Sequence, residues 1–396
     1  MSKKILIVNK FYYPRGGDCI YSLNLEKMLT ESGFEVAFFS MEYPENIESK
    51  YSKYFAPEVN FSGGASAKIA AVKRTLGMGD IVCRFKKILE DFRPDVVHLN
   101  NIHSYLSPVV GELAKKVGCR VLWTLHDYKL LCPSYSCLRN GQPCELCFTD
   151  KSQVLKTRCM KGSLAASAVA YLEAKRWNKK RLEKFTDTFI CPSCFMKGKM
   201  LQGGFSEEKL KVVCNFIDPV KLTQLEKLDC TAKEDYYVYV GRLSPEKGAE
   251  TLLKAAASQP YKLKIAGGGP LKEELQAKYA SEKIEFLGHL DAVSVANLIS
   301  HARFAVQSSE CYENNPLSVI ETLCAGTPVI GAKIGGIPEL VTENVGLTYQ
   351  PGNAEELAAC IKEMMSRKYD YASIAKASRQ VFSAETHLGL LKNILS

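Results

Sequence analysis

The chain of 396 residues has no apolar run long enough to cross a membrane. Its longest nearly apolar stretch is Leu164 to Leu172, whereas a spanning helix needs about 20 such residues. The charged N-terminus is followed by only four apolar residues, too few for the apolar region of a secretory signal. We interpret this segment as a first buried strand, and we expect a cytoplasmic protein.

Disordered and fibrous architectures are excluded by the composition, because 46% hydrophobic and 24% charged residues are ordinary for a globular protein. At about 150 residues per domain, the length predicts two or three domains. The 15 cysteines are an odd number in a large chain without a secretory signal, which argues against a disulfide framework.

The net charge of +9 is concentrated in the N-terminal half. Residues 1–200 carry 31 Lys and Arg against 19 Asp and Glu, a net +12, whereas residues 201–396 carry 21 against 24, a net −3. This asymmetry predicts an anionic partner or substrate on the N-terminal side. A nucleic-acid-binding protein is one hypothesis, but no recognisable module or interleaving of aromatic and basic residues supports it.

Short apolar runs alternate with amphipathic patterns, which predicts a parallel α/β architecture. The alternation restarts at Tyr236, after a polar connection at 218–235. We therefore predict two doubly wound, Rossmann-like parallel-sheet domains, residues 1–217 and 218–383, facing each other across a cleft. Helix 384–396 is expected to pack back onto the first domain. Such domains bind ligands at the carboxyl ends of their strands.

The first predicted strand leads through Gly16 and Gly17 into a helix, where backbone N–H groups and the helix dipole favour an anion. The spacing is not that of a dinucleotide fingerprint, and an ordinary strand-to-helix turn is the alternative. In the second domain, Arg242 and Lys247 flank a turn after a strand. Their fixed positive charge suits a diphosphate leaving group.

Two more turns of the second domain carry candidate groups. The glycines at 267–269 would let a nucleobase or ribose lie against the backbone, although a flexible turn explains them as well. Glu313 follows a predicted strand and Glu321 lies in the next predicted helix, where a carboxylate could accept hydrogen bonds from paired hydroxyls. Residues 315–318, at the start of that helix, would offer N–H groups.

In their order along the chain, these motifs resemble those of the family 4 retaining glycosyltransferases, which have the GT-B fold of two Rossmann-like domains. Each motif alone is weak support, but the ordered set is specific. The matching parts are Gly16-Gly17, His126-Asp127, Gly241–Gly248, Gly267–Gly269, Glu313 with Glu321, and the segment Ala325–Gly336.

The resemblance implies that Arg242 and Lys247 hold the donor diphosphate, that Glu313 binds the transferred sugar, and that His126 faces the sugar and the acceptor. It implies that Glu321 binds the ribose. The donor-binding residues would be Gly16, Gly17, Gly267, Gly269, Asn315, Pro316, Leu317 and Glu321.

The resemblance further implies transfer of a sugar with retained configuration from a UDP- or GDP-sugar to a glycan or lipid-linked acceptor, in surface polysaccharide assembly. The family needs no catalytic metal, and the chain has no Asp-x-Asp pair. Asn314-Asn315 stands where many members have Phe-Gly, so the resemblance does not imply which sugar is transferred. A nucleotide-sugar epimerase of the same fold is the alternative.

Two segments are not explained by these motifs. The region 131–162 fits no strand or helix pattern, and its cysteines predict a structural zinc site formed by Cys132, Cys144, Cys147 and Cys159; unrelated reduced thiols are an equal alternative. The segment 163–184 mixes apolar and basic residues, as in helices that lie on a membrane surface. We therefore expect a peripheral association with the inner membrane face, with a solvated outer helix as the alternative.

Overall fold

The computed structural model describes residues 2–395 and contains two parallel-sheet α/β units. The first unit comprises the residues up to Cys137, Cys144–Val213 and the residues from Leu388 onward. The second comprises Leu138–Pro143 and Cys214–His387. The second unit thus begins at Cys214, whereas the sequence suggested a boundary after residue 217. The predicted α/β fold class is confirmed.

The first unit is built on a six-stranded parallel sheet. The strands before residue 214 are β1 (Lys4–Val8), β2 (Glu35–Phe39), β3 (Val96–Leu99), β4 (Arg120–Thr124), β5 (Leu138–Arg139), β6 (Gln142–Pro143), β7 (Thr188–Cys191) and β8 (Leu210–Val212). The sheet order is β2-β1-β3-β4-β7-β8, and β5 and β6 form a separate antiparallel hairpin. The central strands are mainly apolar and almost wholly buried, because helices cover both faces of such a sheet.

The helices of this unit follow its strands in chain order. They are α1 (Gly17–Glu31), α2 (Ala65–Thr75), α3 (Asp80–Phe92), α4 (Val109–Lys116), α5 (Gln153–Lys156), α6 (Leu164–Arg176), α7 (Lys179–Phe185) and α8 (Cys194–Gln202). The region 131–162, expected to lack regular structure, contains the hairpin β5–β6 and the short helix α5.

The basic segment 163–184 is two helices rather than one. Helix α6 ends at Arg176, and Asn178 begins α7 by accepting a hydrogen bond from the backbone N–H of Arg181. Trp177, at the break, is buried, and so is Leu182. Two of the apolar residues in this segment therefore belong to the core.

The second unit repeats the plan with its own six-stranded parallel sheet. Its strands are β9 (Tyr236–Val240), β10 (Lys262–Ala266), β11 (Ile284–Gly288), β12 (Ala305–Gln307), β13 (Val329–Ala332) and β14 (Gly346–Tyr349). They lie in the order β11-β10-β9-β12-β13-β14. The chain therefore reverses its direction of progress across the sheet between β9 and β12, which is where doubly wound sheets bind ligands.

The remaining helices begin inside the connection that the sequence suggested at 218–235. They are α9 (Pro219–Glu226), α10 (Ala249–Ala257), α11 (Lys272–Tyr279), α12 (Ala292–His301), α13 (Leu317–Cys324), α14 (Ile337–Leu340), α15 (Ala354–Ser366), α16 (Tyr371–Val381) and α17 (Ala384–Leu395). Asp218 caps α9 through the backbone N–H of Val220, and Pro219 occupies the first helical position. Among the described residues, no helix has the length and apolarity needed to cross a bilayer.

Candidate active site

The reversal point of the second unit brings three of the predicted turns to one edge of the sheet. Strands β10, β9 and β12 are neighbours, so the segments that follow their carboxyl ends lie side by side. These segments are Gly267–Pro270, Gly241–Gly248 and Ser308–Pro316. They contain seven of the site residues predicted from the sequence: Arg242, Lys247, Gly267, Gly269, Glu313, Asn315 and Pro316.

Lys247 and Glu313 form an ion pair at this edge, with 2.6 Å between Lys247 Nζ and Glu313 Oε1. Ser309 Oγ also donates to Oε1 at 2.6 Å, and Gln307 Nε2 donates to it at 3.3 Å. Three donors therefore hold one oxygen of Glu313. Its other oxygen, Oε2, has no hydrogen bond to another described residue and is available to accept bonds from sugar hydroxyls.

This arrangement keeps Lys247 protonated. Burial lowers the pKa of the Lys247 ammonium, but the attraction of Glu313 and weaker neighbouring groups outweighs burial and raises the pKa above its usual value. The lysine is therefore a cation over the physiological pH range. A fixed cation of this kind can stabilise negative charge that develops on a departing phosphate.

Arg242 lies in the same turn as Lys247, but its side chain is exposed. No hydrogen bond or ion pair joins its guanidinium to another residue of the described chain, and its carbonyl accepts a bond from Tyr239 Oη at 2.9 Å. The backbone of Arg242 is thus anchored. Its guanidinium keeps all five donors for a ligand.

Glu321 lies on α13 and pairs with Lys221 of α9, with 2.6 Å between Lys221 Nζ and Glu321 Oε1. No local sequence pattern pointed to Lys221, because 100 residues separate it from Glu321. On the same helix, Ser318 Oγ donates to Gln307 Oε1 at 3.2 Å. Gln307 therefore connects Glu313 to α13, the helix on which Glu321 lies.

The start of α13 contains the other predicted donor-binding residues. Pro316 precedes the helix and Leu317 is its first residue. Asn315 is buried, and its Oδ1 accepts from the backbone N–H of Asn215 at 2.8 Å while its carbonyl accepts from Asn215 Nδ2. Its amide Nδ2 is also buried and has no partner among the described residues, which leaves its two N–H donors for a ligand.

The glycine turn after β10 is required by the packing of the protein itself. Gly267 has φ of +130°, and a Cβ there would overlap the carbonyl oxygen of Gly241. A Cβ at Gly269 would overlap the carbonyl oxygen of Leu243. These glycines therefore let two neighbouring turns approach each other, whether or not a ligand lies against them.

The first unit has a polar cluster at its own reversal point, after the neighbouring strands β1 and β3. Asn101 Nδ2 donates to Asp18 Oδ2 at 2.9 Å, and the backbone N–H of Asn101 donates to Asn9 Oδ1. Asp18 is in the first turn of α1, which begins at Gly17 after the extended residue Gly16. The predicted glycine turn is thus tied to the segment after β3.

His126 follows β4 and belongs to the same edge of the first unit. Its Nε2 lies 3.0 Å from Asn100 Oδ1, and its ring packs edge-on against Tyr21. Since Asn100 Oδ1 only accepts, Nε2 carries the proton in this contact. Burial lowers the pKa of His126, so the imidazole is neutral at pH 7. Asn100 was missed by the sequence analysis, although its position after a buried strand was a usable signal.

The cysteines of region 131–162 are brought close together. A hydrogen bond from Cys137 lowers the pKa of the Cys132 thiol to about 5, and burial together with the nearby thiols of Cys132, Cys159 and Cys144 raises the pKa of Cys147 to about 12. Within residues 2–395, however, no three His, Cys, Asp or Glu side chains are placed so that they could hold a metal ion. The zinc site stays a prediction.

Sequence comparisons identify the family of the chain. Residues 221–381 match the family model for glycosyl transferases group 1, and residues 16–221 match the model for glycosyltransferase family 4. A Klebsiella pneumoniae protein described as an uncharacterized 42.6 kDa protein in the cps region is 28% identical over 356 residues, which are 85% of this chain and 87% of that protein.

Solved structures share the fold along the whole chain. Anabaena Alr3699/HepE in complex with UDP and glucose has a TM-score of 0.63 at 18% identity, with 99% of each chain covered. Sucrose-phosphate synthase from Thermosynechococcus elongatus has a TM-score of 0.68 at 19% identity, with the same coverage. The fold is that of the GT-B glycosyltransferases. The chain therefore belongs to glycosyltransferase family 4 and is a glycosyltransferase.

Proposed function

We propose that this glycosyltransferase moves a sugar, with retained anomeric configuration, from a UDP- or GDP-sugar to a glycan or lipid-linked acceptor in surface polysaccharide assembly. The observation that carries the proposal is the Lys247–Glu313 pair, held by Ser309 and Gln307, with Arg242 in the same turn as Lys247. This site combines cations for a diphosphate with a carboxylate for sugar hydroxyls.

In the proposed reaction the bond between the anomeric carbon and the diphosphate oxygen breaks, and a bond to the acceptor oxygen forms on the same face of the sugar. The acceptor hydroxyl proton goes to the departing phosphate oxygen. Arg242 and Lys247 would stabilise the charge that develops on the diphosphate, so no catalytic metal is required. Neutral His126, whose Nε2–H donates to Asn100, would offer the lone pair of Nδ1 to a hydroxyl of the sugar or the acceptor.

Other donor contacts are proposed from individual observations. Glu321 would accept bonds from the ribose hydroxyls, and the unpartnered Nδ2 of Asn315 would donate to the ligand. A Cβ at Gly16 would meet no atom nearer than Asp18 Oδ1 at 3.4 Å, so the packing of the protein does not itself require a glycine. Approach of a phosphate to the N-terminus of α1 would explain the missing side chain.

Two similar proteins support the proposed type of donor and the proposed role in polysaccharide assembly. The Anabaena structure contains UDP and glucose, which favours a UDP-sugar. The Klebsiella relative is described as a protein in the cps region, which favours polysaccharide assembly.

The test is product analysis after incubation with UDP- and GDP-sugars and candidate acceptors in EDTA. NMR spectroscopy of the product should show a glycoside with the anomeric configuration of the donor. An inverted linkage would contradict the retaining mechanism. Conversion of the donor to an epimer, without transfer or hydrolysis, would instead support the epimerase hypothesis.

We also propose that helix α6 touches an anionic membrane. Leu164 and Leu172 are exposed on it, with Lys175 and Arg176 in its last turn. Co-sedimentation with anionic liposomes should occur at low salt and weaken at high salt. No co-sedimentation at low salt would refute this part of the proposal.

A further inference from the structure

The first unit contains a partly open cavity of about 300 Å³ that none of the predicted motifs line. Its walls come from residues 129–133, the segment 148–152 of the cysteine-rich region, the end of α6 with the start of α7, and residues 203–205. Four lysines line it against two carboxylates. They are Lys129, Lys151, Lys175 and Lys179, with Asp150 and Glu173.

One wall is a preformed ion pair. Lys129 Nζ lies 2.8 Å from Glu173 Oε2, and the two side chains are only 10% and 7% exposed. Ser104 donates to Glu173 Oε1 from both its backbone N–H and its hydroxyl, at 2.9 Å each, and Lys129 also donates to the carbonyl of Pro133. This pair neutralises itself and fixes the wall in place.

The other three lysines have no carboxylate within 4.0 Å in the described part of the chain. Lys151 donates to the carbonyls of Leu130 and Leu131, and Lys179 donates to that of Gly204, so each ammonium keeps at least one donor. Burial lowers the pKa of Lys151. An anion in the cavity would oppose that effect.

The other lining carboxylate, Asp150, already accepts hydrogen bonds from residues close to it in the sequence. It accepts from the backbone N–H of Ser152 at 2.9 Å and from its hydroxyl at 2.7 Å, and Gln153 and Lys156 add two further contacts. The lining lysines therefore exceed the lining carboxylates by two. A multiply charged anion is the ligand that this balance favours.

The cavity also has an apolar side, formed by Phe148, Tyr171, Trp177 and Phe205. An anion that carries an organic group would use both sides. We propose that the cavity binds the phosphate or diphosphate ester of the acceptor substrate. This rests on the proposed function, since it takes the acceptor to be phosphorylated.

The test is calorimetric titration at constant ionic strength with three probes: inorganic diphosphate, a hexose 1-phosphate and a short-chain prenyl diphosphate. The protein is the Arg242→Ala, Lys247→Ala variant, so that binding at the donor edge does not interfere. Lys175→Ala with Lys179→Ala, two exposed residues of the cavity wall, should weaken binding at least about tenfold. Lys180→Ala with Lys184→Ala is the matched control, because both lysines are exposed, lie on α7 and do not line the cavity.

Binding of a probe that is lost in the first pair of substitutions but kept in the second supports the proposal. No binding of any probe, or equal losses in both pairs, overturns it. Tighter binding of the prenyl diphosphate than of inorganic diphosphate assigns the ligand to a lipid, and equal binding assigns it to the phosphate group alone. A separate titration of the unsubstituted chain with UDP reports on the donor site, so failure of the proposed function is seen independently.

Discussion

The side chain of Lys247 is held by Glu313, so a diphosphate that binds Lys247 shares its ammonium with a carboxylate. An ammonium has three donors and can serve both partners. The pair therefore positions the cation before the reaction begins, which is how fixed charges lower an electrostatic barrier without reorganising. The effect of each substitution should depend on whether it touches the leaving group or another part of the donor.

Lys247→Ala and Arg242→Ala should each lower kcat by about 10²–10³-fold, because each removes a cation from the leaving group. Circular dichroism should show an unchanged fold. Lys254→Ala is the control, since Lys254 is exposed on α10 and pairs with Glu250 of the same helix. Near-normal kcat in both site variants would remove the basis for the proposed roles.

Glu321→Gln should raise KM for the donor about tenfold or more while kcat changes little, because ribose contacts are equally strong before and in the transition state. Steady-state kinetics separate the two constants. Glu343→Gln, at an exposed position of the same unit, should leave both unchanged. A fall in kcat at constant KM would instead place Glu321 near the reacting atoms.

At the scale of elements, the turns at the edge of the second sheet hold one another in place. Gly335 has φ of +62°, and a Cβ there would overlap the backbone of Glu313. The backbone N–H of Gly336 also donates to the carbonyl of Glu313 at 2.7 Å. The segment after β13 thus sets the position of the Glu313 carboxylate.

Gly335→Ala should lower the unfolding free energy by about 2–4 kcal/mol, since left-handed strain and overlap with Glu313 add together. It should also reduce transfer activity by displacing Glu313. Gly352→Ala is the matched control, because Gly352 has φ of +77° but its nearest neighbour, Glu310, is 3.9 Å away. Gly352→Ala should lower the unfolding free energy by only about 1 kcal/mol, from left-handed strain alone. Equal losses measured by denaturant unfolding would contradict the argument.

Helix α17 contains a buried histidine that couples stability to pH. His387 Nδ1 lies 2.8 Å from the carbonyl oxygen of Cys214, its ring packs on Phe216, and burial lowers its pKa to about 4. Below pH 6.5 the unfolded chain binds a proton that the folded chain does not. The contribution of His387 to stability is therefore lost as the pH falls from about 6.5 toward 4.

His387→Gln should accordingly be destabilising at pH 7.5, and the gap from the wild type should shrink by about 2 kcal/mol at pH 5. Thermal melts of both proteins at the two pH values measure this gap. A gap that does not change with pH would mean that His387 does not titrate below its usual range.

The cysteine-rich region gives a prediction about metal content. If its thiols bind structural zinc, protein purified without chelators should contain close to one equivalent per chain, and chelation should lower its melting temperature. Zinc below about a tenth of an equivalent would end the hypothesis.

At the scale of the whole molecule, two similar units carry chemically different edges. The first contains neutral His126 with amides and Asp18, and the second contains the Lys247–Glu313 pair with Arg242. The excess of positive charge lies in the N-terminal half of the sequence, which also contains the lysine-lined cavity. The proposed donor-binding cations, Arg242 and Lys247, thus lie in the half with the lower net charge.

A thermal-shift panel of UDP-, GDP-, ADP- and TDP-sugars should therefore identify the donor. Saturation at a hundred times the dissociation constant adds about 2.7 kcal/mol of stability. The stabilising nucleotide should lose its effect in the Lys247→Ala variant. No shift with any of the four would contradict nucleotide-sugar binding.

The sequence predicted the α/β class and which turns follow the strands, because strand and helix periodicity and turn chemistry are local properties. It failed where local signals were weak. The segment of helix α9 was expected to be a polar connection. Leu225 is its one buried residue, so the helix has little of the apolar periodicity that reveals a helix in a sequence. The basic segment was expected to be one helix, since nothing local revealed that Trp177 is buried where the helix breaks.

The sequence by itself determined which residue types follow each strand, and hence which side chains could take part in the chemistry. Only the tertiary structure decided which of them meet. Lys247 reaches Glu313 across 66 residues and Lys221 reaches Glu321 across 100, because strand order brings distant segments to one edge of the sheet. The physical reason is that strand order follows from packing of the whole unit, whereas propensity and periodicity act over only a few residues.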